Sequence, residues 1–163
     1  MLKFLSRTPV LIFMLIAFLA IGYSFQWVQA GIGEGAILDT ISNGTEARAR
    51  IAAMSGAEKQ HHLIGTLLND SLYPLAYGGL FAGLAARFGG SRAQLAAFPA
   101  LATVVVDFTE NTIQALALAG QADMLAAKNI LTPLKFGLFI SAVLVAAFLI
   151  LWAVYRRLTR KAD

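Results

Sequence analysis

The chain has 163 residues, of which 58% are apolar and 13% charged. Soluble domains carry about a quarter charged residues, so an ordinary soluble domain is excluded. Thirteen Lys and Arg against nine Asp and Glu leave +4, and the basic residues sit at the ends of apolar runs without forming a nucleic-acid patch. The lack of cysteine excludes disulfides, thiolate nucleophiles, iron–sulfur clusters and zinc–thiolate sites. No cofactor is implied.

The first apolar run covers about 9–28 (PVLIFMLIAFLAIGYSFQWV) and is long enough to cross a bilayer core. Lys3 and Arg7 precede it, and Tyr23 and Trp27 sit near its far end as interfacial aromatics. A signal peptide ending at Val28-Gln29-Ala30 is the competing reading; the length of the run favours an anchor. The segment 31–70 is polar and reads as an amphipathic cap. Ser42-Asn43-Gly44 marks a turn, and Thr45 is placed to cap a short helix through Ala53. Ser55-x-x-Glu58 fits a capping box, so a second helix starts near Gly56. It continues into a span at about 72–88, with a kink expected at Pro74. After the Gly89-Gly90-Ser91 turn come a third span at about 94–119 and a fourth at about 130–155. The fourth ends in the basic residues Arg156, Arg157, Arg160 and Lys161.

The expected fold class is therefore all-α: a polytopic membrane protein, a single four-transmembrane-helix bundle with a short amphipathic helical cap on the outer side. Four crossings place Lys3, Arg7, Arg87, Arg92 and the four tail residues on one side, against Arg48, Arg50, Lys59 and Lys128 on the other. That bias puts both termini in the cytoplasm, in the inner membrane of a bacterial cell.

The third span holds residues that do not belong in lipid. Thr103, Asp107, Glu110, Asn111 and Gln114 fall within an arc of about 100° on a helix. Carboxylates at that depth cost at least ~2.5 kcal/mol each unless paired, protonated or hydrated, so the stripe is expected to face the bundle interior. His62, Thr66, Asp70, Tyr73 and Tyr77 share an arc of about 80° on the preceding helix. Its other side carries Gly79 and Gly83, spaced for close helix contact. Lys135 is the only cation within a span; it either snorkels or pairs with Glu110 or Asp107. These positions predict an outward-facing polar pocket with Asp107 as its floor. Its walls would be Glu110, Asn111, Gln114, Tyr73, Tyr77 and Lys135, with Tyr23 and Gln26 as further candidates and Asp70 nearby. His61 and His62 read as a solvated pair without enough ligands for a metal site.

The segments YPLAYGGLFAGL (73–84) and FPALATVVVDFTEN (98–111) resemble a group of uncharacterised bacterial four-span proteins that share YPLxYG followed by DxxEN in the next span. That resemblance implies the four-span fold and brings no activity. Three functional readings follow. In the first, the pocket binds a small hydrophobic or amphipathic, lipid-like ligand, with Asp107 and Glu110 as acid/base groups and Tyr73, Tyr77, Asn111, Gln114, Lys135 and Asp70 as binding residues. In the second, the chain is a structural or accessory subunit, partnered with a second copy or another membrane protein through Gly79 and Gly83. In the third, an oligomer carries protons or ions. The only partner expected in every case is the lipid bilayer.

Overall fold

Helix starts are set by their cap residues. Asn43 Oδ1 accepts hydrogen bonds from the amides of Thr45 at 2.8 Å and Glu46 at 3.2 Å, and so opens α3 (Gly44–Ala53). The cap is thus Asn43, not Thr45: both residue types can cap, and Asn43 is the one in extended backbone with two free amides ahead of it. Ser55 opens the next helix with a complete capping box. Its Oγ accepts from the Glu58 amide at 3.3 Å, and Glu58 Oε2 accepts from the Ser55 amide at 2.7 Å.

In the computed structural model, which describes residues 1–159, no strand occurs among the described residues. Arg160 and Lys161 of the basic tail lie outside the described residues. The remaining helices are α1 (Leu2–Leu5), α2 (Thr8–Gly31), α4 (Gly56–Phe88), α5 (Ala93–Leu118) and α6 (Lys128–Thr159). Short 3-10 turns lie at Leu38–Thr40, Gly90–Arg92 and Leu125–Ala127. Helix α5 ends where Gly120 takes a φ of 69°: the amides of Gly120 and Gln121 return to the carbonyls of Ala117 and Leu116, closing a Schellman motif that only glycine adopts without strain.

Helix α4 packs against α2 on one side and α5 on the other, and α6 packs against both α5 and α4. At one end an alanine seam (Ala82, Ala85, Ala97, Ala100, Ala142) lets α4, α5 and α6 approach closely. Gly79 and Gly83 face the N-terminal helices of the same chain. A Cβ on Gly79 would meet Met14 Sδ at 2.9 Å, and one on Gly83 would meet the Leu5 carbonyl oxygen at 2.6 Å. This glycine face is filled from within the chain. At the other end, Leu38, Ile41, Ala47 and Met54 of the segment before α4 form an apolar core with Ile113, Leu118 and Leu125. The segments Thr8–Gly31 and Leu125–Thr159 are long and apolar enough to cross a membrane, whereas polar side chains dilute α4 and α5 below that composition.

Candidate functional site

Pro74 creates the first feature of the site. Proline has no amide hydrogen, so the carbonyl four residues earlier, on Asp70, loses its helical donor. Asn111 Nδ2 from α5 donates to that oxygen at 2.6 Å. A defect in α4 is thereby repaired by a side chain of the polar stripe, which fixes the register of α4 against α5. Gln114 Nε2 in turn donates to Asn111 Oδ1 at 3.4 Å.

The charged residues meet one turn away. Glu110, fully buried, accepts from Lys128 Nζ and from Thr132 Oγ1 through Oε1, and its Oε2 lies 2.9 Å from Lys135 Nζ. Lys135 also pairs with Asp39 of the Leu38–Thr40 turn and lies 3.8 Å from Asp107 Oδ1. Tyr77 donates its hydroxyl to Asp107 Oδ2 at 2.7 Å. Lys135 therefore pairs inside the bundle and does not snorkel. The network joins α4, α5, α6 and the Leu38–Thr40 turn.

Asp39 reaches this network because its neighbour is pinned. The buried His62 ring accepts at Nε2 from the Leu38 amide at 3.0 Å, and its Nδ1 faces Thr66 Oγ1 at 3.3 Å. Accepting at Nε2 requires the neutral ring with its proton on Nδ1, and burial pushes the imidazole below its ordinary value. The expected solvated histidine pair is thus split. His61 packs its ring 4.1 Å from that of Trp27 and contacts the Trp27 carbonyl, while His62 anchors the Leu38–Thr40 turn. Arg50 holds the strand of chain leading to Asp39, donating to the Ile32 carbonyl at 2.8 Å. At the surface Arg48 pairs with Asp123, which draws the Asp123 carboxyl below the usual range.

Beside the network lies a cavity of about 170 Å³ lined by Asp39, Tyr73, Tyr77, Asp107, Lys135, Phe136 and Phe139. Its walls include edge-to-face contacts of Tyr73 with Tyr77 and of Tyr77 with Phe139. Of the residues expected in a pocket, Asp107, Tyr73, Tyr77 and Lys135 line this one. Glu110, Asn111 and Gln114 are buried behind it, Asp70 is buried with Oδ2 unpartnered, and Tyr23 and Gln26 are exposed on α2. A larger fissure of about 300 Å³ between α4 and α5 has no charged side chain in its lining.

Asp39, Lys128, Thr132 and the two phenylalanines escaped the sequence reading. A signal existed for most of them: Lys128, Thr132, Lys135, Phe139, Ala142 and Ala146 recur at intervals of four and three, one face of a helix. Nothing in the periodicity points to Asp39, which lies in a turn. Known protein families, characterised proteins and solved structures offer no match to this chain.

Proposed function

We propose that the protein is a four-span membrane protein that binds the head of a small amphipathic molecule in the cavity between α4, α5 and α6. The membrane reading is supported by where the apolar surface lies. The most apolar windows of Thr8–Gly31 and Leu125–Thr159 are only 6% and 11% buried within the chain, unlike the core helix of a soluble protein. Large apolar side chains are also exposed on α4 (Leu67, Leu68, Leu72) and α5 (Leu95, Phe98, Val105). At ~1.5 Å per residue, α4 and α6 are each nearly 50 Å long and outreach the ~30 Å hydrocarbon layer. The basic residues at their ends keep both termini on the cytoplasmic side, and the cap and the cavity in the outer half.

The observation that carries the ligand reading is the cavity itself: an ionic and aromatic lining inside otherwise apolar helices. Asp107 is the group suited to exchange a proton with a bound molecule, because it lines the cavity and Tyr77 holds one of its oxygens. Glu110, enclosed by Lys128, Thr132 and Lys135, serves the network and not the ligand. Native mass spectrometry of the protein released from membranes tests this. A small molecule retained by the wild type and lost in Asp107→Asn, with folding intact, is expected. Identical spectra free of any adduct would reject the reading.

One observation favours the structural-subunit reading: the Glu110 network is satisfied almost wholly within the chain, as a register-fixing device would be. On that reading Asp107→Asn is silent, and only substitutions at Glu110 and Lys128 have consequences.

A further inference from the structure

The charges around the cavity do not balance. Three carboxylates, those of Asp39, Asp107 and Glu110, share two ammonium groups, those of Lys128 and Lys135. The side chains of Glu110 and Lys128 are fully buried, and those of Lys135 and Asp107 are 4% and 8% exposed. Asp70 adds a further buried carboxyl with an unpartnered oxygen. The Asp39 side chain is 23% exposed and reaches water, whereas the surplus on the enclosed members does not, and an unmatched buried charge is expensive.

The deficit is localised. Glu110 holds Lys128 and Lys135, and Asp39 holds Lys135. Asp107 has the weakest claim on any cation. Its Oδ2 takes a neutral hydroxyl, while Oδ1 has no hydrogen bond among the described residues and finds its nearest ammonium at 3.8 Å. This side chain, more than nine-tenths buried, lines the cavity beside four aromatic rings and Lys135. The Lys135 ammonium is held by Asp39 and Glu110 and lies 5.2 Å from the centre of the Phe136 ring, which leaves Tyr73, Tyr77 and Phe139 without a cation. Aromatic rings attract cations, and a carboxylate opposite them completes a cation-binding box. The volume, about 170 Å³, lies below the ~300–1,000 Å³ of pockets that engulf a drug-sized molecule. It suits a head group whose apolar remainder continues among the helices.

We infer that the cavity binds an organic ammonium group carried on an apolar body, with Asp107 as its counter-ion and Tyr73, Tyr77 and Phe139 as its walls. This rests on the cavity reading above and narrows it to one ligand class. The same chemistry is offered by a free lipophilic amine and by the ethanolamine head of a phospholipid.

The test uses the full chain in a neutral sugar detergent. Phenethylammonium, its uncharged isostere 2-phenylethanol and the anion phenylacetate are titrated calorimetrically. In a parallel arm, native mass spectrometry compares retention of phosphatidylethanolamine with that of phosphatidylglycerol. The expected result is a preference of at least tenfold for the ammonium over both isosteres, or selective retention of the ethanolamine lipid. The first outcome identifies a free amine as the source and the second a lipid. Either preference is lost in Asp107→Asn, while Asp123→Asn at the surface keeps it. Equal or tighter binding of the alcohol or the carboxylate would overturn the ammonium assignment and leave the cavity reading standing. Failure of every probe and both lipids would overturn both. The isostere comparison is made on the wild type and holds even where Asp107→Asn fails to fold.

Discussion

Replacing Glu110 and Lys128 singly and together gives the most direct access to the energetics of this bundle. Both side chains are fully buried, and Glu110 is the only carboxylate within ion-pair distance of Lys128 among the described residues. Glu110→Gln therefore strands a buried ammonium, a change that costs about 3–5 kcal/mol. Lys128→Met is milder: Glu110 keeps Lys135 at 2.9 Å and the Thr132 hydroxyl, so the loss is that of one charged hydrogen bond, about 1.5–3 kcal/mol. The double variant Glu110→Gln with Lys128→Met removes both charges and leaves Lys135 with Asp39 and Asp107; its loss is smaller than the sum of the two single losses. Reversible unfolding in mixed micelles, followed by the fluorescence of Trp27 and Trp152, measures all three. Two results refute the reasoning: losses that simply add in the double variant, or a Lys128→Met more damaging than Glu110→Gln.

Three further outcomes follow from the same contacts. The His62 imidazole is held below its ordinary value of 6.5, so released chains bind more protons than folded ones just below that pH. The anchoring of the Leu38–Thr40 turn is thus fully stable above pH 6.5 and loses stability as the pH falls through that value, levelling off below the folded-state value. The protection factor of the Leu38 amide, its exchange rate divided into the intrinsic rate at the same pH, should fall accordingly, and a His62→Gln variant should show no such dependence. Asn43→Ala removes the acceptor for two amides; it should destabilise α3 by about 1 kcal/mol, read as faster exchange at Thr45 and Glu46. Gly83→Leu drives a side chain into the Leu5 carbonyl and should lower stability by about 1–3 kcal/mol or more. Gly137→Ala meets nothing within 4 Å and should raise it by up to about 1 kcal/mol; thermal unfolding compares the two.

The long helices were legible because each leaves a local mark: charge-free runs of about 20 residues for α2 and α6, a capping box for α4, and a polar arc for α5. Which polar residues meet a cavity was not legible, because periodicity gives a direction around one helix and not the distance to the next. Asn111 and Asp107 lie on the same arc, yet one closes the carbonyl freed by Pro74 and the other lines the cavity. Lys128 looked like a residue of the surface loop because it stands at the first position of α6; it is buried where the segment before α4 packs against the start of that helix. Asp39 was invisible for the same reason, since a contact 96 residues away in sequence has no local signature.

The ion pair between Glu110 and Lys128 also bears on how such a chain is made. On the four-span reading proposed above, α5 reaches the insertion machinery before α6, carrying two acids that resist entry into hydrocarbon. The neutralising lysine lies 18 residues further on, just past the turn that Gly120 closes. A lone α5 would stall at the threshold of the membrane. The two helices are expected to enter together as a hairpin, each supplying the charge that makes the other admissible.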